Sequence, residues 1–272
     1  MTATDARPGP VTPAAPVPVA VRARDVLTSE WTKLRSVRSA YWTMLVAVVT
    51  PIALSGLVAV TLANAPNQSV PVDPLLPGVL SQEYAVLAVG VLGVLAFSTE
   101  YSTGLIRTTF AAVPRRRAVL AAKSAVVGVI TLLAGELIAF ATFFAGQWAQ
   151  SAHHLNVTLA HPGTLRGVLA AGFYLAVTAW VGLGLGAIIR HTAGAITAMA
   201  GVVLLLPQIV NALPVPWDVR IGKYTLGVAA QQTISQHPQA GYFSAGPSFI
   251  IVLAYAAAAI AAAAFVITRR DA

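Results

Sequence analysis

Residues 168–213 read VLAAGFYLAVTAWVGLGLGAIIRHTAGAITAMAGVVLLLPQIVNAL, two apolar runs broken only by Arg190 and His191. A helix needs roughly 20 residues to cross about 30 Å of hydrocarbon, and each run supplies them. Neither run carries the polar stripe of a surface helix or the strict alternation of a half-buried strand. The stretch therefore predicts two membrane spans, 168–189 and 192–213, joined by a tight hairpin at the Arg-His pair.

Four more runs of the same kind lie at 41–63, 80–98, 119–145 and 248–267. One such run could be the central helix of a large soluble domain, but six in 272 residues cannot all be central. The bulk composition agrees, with 57% hydrophobic and only 10% charged residues, where soluble domains carry about a quarter charged. The expected fold class is an all-α integral membrane protein with six transmembrane helices. Cysteine is absent, which removes disulfides and thiolate metal sites. A net charge of +8 would point to nucleic acid in a soluble protein, but here the basic residues sit at the ends of spans and point to the membrane surface, with no nucleic-acid partner.

Their distribution sets the orientation. With both termini inside, all 17 Lys and Arg residues except Arg166, Arg220 and Lys223 fall on the cytoplasmic side, the bias expected of a multi-pass protein of the cytoplasmic membrane. An odd number of spans would strand either the N-terminal basic cluster or Arg269 and Arg270 on the wrong face. Residues 1–20 are mostly Pro, Ala, Thr and Val and predict a disordered cytoplasmic tail without the continuous apolar core of a signal peptide.

Residues 21–40 predict an amphipathic interfacial helix. In VRARDVLTSEWTKLRSVRSAYW, residues 21–42, Leu27, Trp31, Leu34 and Tyr41 recur near helical spacing while Glu30, Lys33 and Arg38 face elsewhere. Trp31, Tyr41 and Trp42 suit headgroup depth, and Arg22, Arg24, Lys33, Arg35 and Arg38 suit anionic lipid. Residues 41–270 then form the six-span domain. Small-residue faces for close helix approach are expected at Gly182 and Gly186, at Ser55 and Ala59, and at Ala254, Ala258 and Ala262. Pro51 and Pro207 each remove a helical hydrogen bond, making them candidates for hinges or for static kinks.

Glu136 is the acidic residue placed deep within a span. A carboxylate there costs about 3 kcal/mol on insertion scales, so it is a candidate for gating or substrate handling, or for a structural hydrogen bond. His153, His154 and His161 have no nearby carboxylate or cysteine at metal-site spacing, and no metal is expected. The stretch 214–247, with Trp217, Tyr224, Tyr242 and Phe243, suits short helices at the outer interface.

The segment that narrows function is FSTEYSTGLIRTTFAAVPRRRAVLAAKS, residues 97–124, between spans two and three. Glu100, Thr103 and Arg107 fall on one helical face, while Leu105, Ile106, Phe110 and Val113 cover another. Pro114 ends the helix before Arg115, Arg116 and Arg117. A short amphipathic cytoplasmic helix is expected, with its polar side open to another protein. A basic loop that only fixes topology is the plainer alternative.

Here the chain resembles the membrane subunits of ABC-2 type exporters, especially small actinobacterial permeases. Their loop after the second span carries a motif close to Glu-Tyr-x-x-Gly-Thr-Ile/Leu-Arg. This sequence has Glu100, Tyr101, Ser102, Thr103, Gly104, Leu105, Ile106 and Arg107, with Leu105 where the family has Thr. The following Ala-Ala-Val-Pro-Arg-Arg-Arg and the Ser-Glu-Trp-Thr-Lys-Leu-Arg of residues 29–35 are similar to the family too, and the resemblance runs over roughly 22–270.

It implies a permease subunit that moves an unidentified substrate outward, with ATP hydrolysed by a separate subunit. Glu100, Tyr101, Gly104, Arg107 and Arg115–Arg117 would then belong to a coupling surface against that subunit, and Glu30, Trp31, Lys33, Arg35 and Arg38 to the connecting helix. Two permease subunits, identical or related, would pair with two ATP-binding subunits. This chain has no G-x-x-x-x-G-K-[ST] run and no soluble segment long enough for a nucleotide-binding domain. It is therefore not expected to be an enzyme or to hold a cofactor; ATP and Mg belong to the partner. An ion-coupled carrier or channel, or a noncatalytic membrane assembly subunit, are the alternatives.

Overall fold

Apolar runs without water must satisfy their own backbone hydrogen bonds, and helices do so within one segment. The computed structural model describes residues 23–36, 38–64, 73, 75–152, 154–237 and 239–269, and among these there is no strand. Helix α1 spans Ala23–Ser36, α2 Arg38–Ala63, α3 Leu76–Ser102, α4 Leu105–Ala112, α5 Arg116–Ser151 and α6 Thr164–Ile189. Then come α7 (Thr192–Ala200), a π-helical turn (Gly201–Leu205), α8 (Leu206–Asn211), α9 (Trp217–Gly222), α10 (Leu226–Ile234) and α11 (Ala245–Arg269). Residues 1–20, with Arg22, His153 and Arg270, lie outside the described residues.

Six helices are long and apolar enough to cross a membrane: Trp42–Ala63, Leu76–Ser102, Arg116–Ser151, Thr164–Ile189, Thr192–Asn211 and Ala245–Arg269. These are the six expected runs. Four of them, α3, α5, α6 and α11, extend past those runs, because turns with polar or charged residues continue the helix beyond the hydrophobic stretch. Helix α5, with 36 residues, is about 54 Å long at 1.5 Å per residue, more than the roughly 30 Å of a bilayer's hydrocarbon core. Arg38 opens α2 instead of lying on the N-terminal helix, since α1 ends at Ser36.

Helix α6 is the centre of the bundle, with α3 and α5 packed along it and α11 on a further side. Lipid tails are as apolar as leucine, so the helices associate through close packing and hydrogen bonds. At the α3–α6 crossing the backbones touch: a Cβ added at Gly93 would run into the Ala179 carbonyl, and one at Gly182 into the Gly90 carbonyl. Gly186 meets Val94 in the same seam, so the expected Gly182–Gly186 face is a packing face. Ser55 and Ala59 are also buried, and the Ser55 hydroxyl donates to the Thr142 carbonyl at 2.9 Å.

Helix α11 corrects the third expectation. Ala254, Ala258 and Ala262 face outward, while Val252, Ala256, Ala263 and Ile267 are buried. In a run so rich in alanine every face is small, and the larger Val252 and Ile267 select the one that packs.

The two prolines behave differently. Pro51 lies buried inside α2, which continues from Arg38 to Ala63. Pro207 follows the π turn, where the Leu206 N–H reaches back to the Gly201 carbonyl. The wider turn sits where a proline interrupts the ordinary ladder. In this part of the fifth span Leu205, Leu206 and Ile209 face outward.

Helix α10 packs against α6 and α11, and most of its residues are buried, so the stretch after span five enters the bundle as well as running along it. Trp217 and Tyr224 remain about half exposed. At this end, opposite α4, the Asp73 carboxylate accepts from the Leu75 N–H, the Ser235 hydroxyl and the Gln236 N–H, joining two connections.

Candidate functional site: a closed ion ring beside a short surface helix

At the α4 end, four side chains from three helices close a ring of alternating charge. Glu30 and Lys33 lie one turn apart on α1, Glu100 in the last turn of α3, and Lys123 two turns into α5. The Lys33 ammonium donates to Glu30 Oε1 at 2.7 Å and to Glu100 Oε1 at 2.8 Å. Lys123 donates to Glu100 Oε1 at 2.9 Å and to Glu30 Oε2. Two carboxylates and two ammonium groups thus neutralise one another, each ion touching both opposite charges.

The ring is dry on three of its corners. Glu30, Glu100 and Lys123 are buried, whereas the Lys33 side chain is 37% exposed. Lys123 also lies 5.5 Å above the Phe97 ring, whose face attracts a cation. Partial burial pulls the Lys33 ammonium down, but its bonds to Glu100 and Glu30 and their negative charges outweigh this, so it titrates above the ordinary lysine value. Glu100 Oε2 is buried with no hydrogen-bond partner among the described residues.

This arrangement explains which way α1 faces. Glu30 turns into the bundle while Leu27 and Trp31, 39% and 46% exposed, turn away from it. Helix α1 is thus a strap with its acid buried inward and its apolar Leu27 and Trp31 facing outward. The side chains of Leu34, Arg35, Arg38 and Tyr41 lie outside the described residues.

The expected 99–117 segment divides into parts with different surroundings. Helix α3 runs to Ser102, and Gly104 takes a φ of +73°, the left-handed region open to glycine. Glu100 and Arg107 therefore stand on different helices. Glu100 turns inward, where a shared polar face had been expected, because two buried ammonium groups claim its carboxylate. Tyr101 stacks on Phe97 at 5.8 Å between ring centres and lies under the Arg190 guanidinium, 5.1 Å away.

Ile106 is the buried anchor of α4, while Leu105 is 52% exposed. Val113 follows the helix and Pro114 precedes α5. Arg116 donates to the Ile267 carbonyl at 3.1 Å and sits 5.3 Å over Phe110, tying α4 and α5 to the end of α11. Thr103, Arg107, Arg115 and Arg117 are exposed. The result is a short helix with an outward Arg107, entered through the left-handed Gly104 and followed by exposed Arg115 and Arg117, at the same end of the bundle as the ring.

Glu136 is not part of this cluster. It lies at the α5–α6 contact with its carboxyl group in the space that a side chain at Gly172 would fill. Its Oε2 is buried without a hydrogen-bond partner among the described residues.

Lys123 is the residue that reading the sequence undervalued, as one more basic residue of the cytoplasmic side. Its signal was present: a lone lysine inside VLAAKSAVVGV must bury its charge or reach for a partner. A scan against protein-family models and a search of curated proteins found no match.

Proposed function

We propose that this chain is the membrane-spanning subunit of an ATP-driven exporter of the ABC-2 type, acting with a separate ATP-binding subunit. The observation that carries the reading is the junction of α4 to the ion ring. A small helix with exposed Arg107, flanked by exposed Arg115 and Arg117, joins α3, whose last turn carries Glu100, to α5, which carries Lys123, and the ring ties both of these helices to α1.

A push on α4 enters α3 through the Gly104 joint and α5 through the Arg116 clamp. Because three of its four members are buried and its charges balance, salt screens the buried Lys123 bonds little, and the ring can carry displacement between the helices it joins. The α1 strap would shift with it. In this reading α4 faces the cytoplasm, which agrees with the lysine and arginine excess at that end; Arg166, Arg220 and Lys223 lie at the other. Six spans make half a transport path, so a second permease subunit completes the assembly.

Co-expression with a candidate ATP-binding subunit tests this. The two should copurify in detergent, and ATPase activity should respond to reconstitution with this chain. Replacing Arg107, Arg115 and Arg117 together by alanine should abolish copurification while leaving the permease folded. Persistent absence of association for the unmodified chain with the ATP-binding subunits of the same cell would overturn the reading.

A further inference from the structure

At the opposite end from the ring, a cleft of about 120 Å³ opens between α3, α6, the α8 stretch and α10. Its polar lining is Gln82, Glu83, Tyr174, Gln208, Asn211 and Gln231, with no lysine or arginine. Glu83 lies about 10 Å along α3 from its first residue, at 1.5 Å per residue, and is exposed with no ion-pair partner among the described residues. A carboxylate on a membrane helix with no fixed countercharge is a functional group by default. Glu30 and Glu100 both have two ammonium partners, so Glu83 is unlike them.

Part of the cleft wall comes from the fifth span. Val203 and Leu204 of the π turn and Pro207 line it, and Leu204 is also 40% exposed on its outer side. A polar recess with a negative group is thus continuous with an apolar outer flank. Amide oxygens and a carboxylate accept hydrogen bonds from N–H donors, and the carboxylate repels anions. The volume holds several water-sized groups, which suits an ammonium head and leaves a chain to lie along the leucine flank.

We propose that this cleft binds the head group of a cationic amphiphile, a primary ammonium on an apolar chain, with Glu83 as its countercharge and Gln208, Asn211 and Gln231 as hydrogen-bond partners. Binding requires neither ATP nor a partner subunit, so the proposal stands apart from the exporter reading.

The test is saturable binding of radiolabelled dodecylammonium to the full chain in neutral-lipid nanodiscs, above that of protein-free discs. The unmodified chain should show saturable binding, Glu83→Gln should weaken it by about tenfold or more, as expected for loss of a charge-assisted hydrogen bond, and Gln208→Leu should weaken it less. Glu136→Gln should leave it unchanged, and dodecyl sulfate, with the same chain and opposite charge, should not compete. Thermal unfolding of each variant checks its folding; Glu83 and Gln208 are both exposed, so their loss leaves the core intact. Absence of saturable binding, wild-type affinity in a folded Glu83→Gln, equal weakening by Glu136→Gln, or competition by dodecyl sulfate would each overturn the proposal.

Discussion

Single side chains at the α4 end carry more of the architecture than their number suggests. Removing one member of a buried ion pair leaves its partners charged and dry, which destabilises by about 3 kcal/mol or more. Lys123→Met should therefore lower the unfolding temperature in detergent markedly, and adding Glu100→Gln should recover part of the loss, a coupling that a double-mutant cycle measures. Lys33→Met should cost less, about 1 kcal/mol, because its side chain is over a third exposed and solvent screens it. The pH dependence has a definite sign. A lysine whose folded pKa is raised contributes fully below its unfolded value of about 10.4 and loses that contribution as pH climbs through the folded value. The stability gap between wild type and Lys33→Met should stay level from about pH 7 to 9 and close only in stronger alkali.

This is also the scale at which the sequence was least legible. Helical spacing placed Glu100 beside Arg107, but the left-handed Gly104 ends that periodicity between them, and a backbone break of one residue leaves hardly a trace in a hydrophobic pattern. Glu30 and Lys123, which meet in the ring, lie 93 residues apart in the chain. No local spacing encodes such a meeting, although the rarity of charge in these runs marked each residue as needing one.

The helices themselves were legible because lipid allows few choices. A run of apolar residues long enough to span must be a helix, and the six runs became six helices with extended ends. Which face packs is another matter. Gly182 and Gly186 revealed theirs, since a glycine in such a helix has few reasons other than close approach. The alanines of α11 did not, since small residues surround the helix on every side. Gly182→Leu should disrupt the α3–α6 crossing severely, because the added side chain would meet the Gly90 carbonyl and the Val94 backbone, neither of which can swing aside. Reduced expression and early-melting protein in detergent are the expected outcome, whereas Ala258→Leu, on the outward face of α11, should be tolerated.

For the whole molecule, the proposed orientation makes a prediction suited to a chain without cysteine. Thr103 and Ala160 are exposed at opposite ends of the bundle. A single cysteine at Thr103 should react with an impermeant maleimide only when the cytoplasmic face is accessible, and one at Ala160 only from outside intact cells. Reversed labelling would invert the topology and move α4 away from any cytoplasmic partner.

Under the proposed function, α4 is the surface through which an ATP-binding subunit moves this protein. Site-specific photocrosslinking in native membranes tests it most directly, with a photoreactive residue placed at the Arg107 position and, separately, at the Ala160 position. The account predicts a crosslink from position 107 to an ATP-binding subunit and none from position 160. A crosslink to that subunit from position 160, or none from 107 while the subunit is present and the protein is transporting, would contradict it.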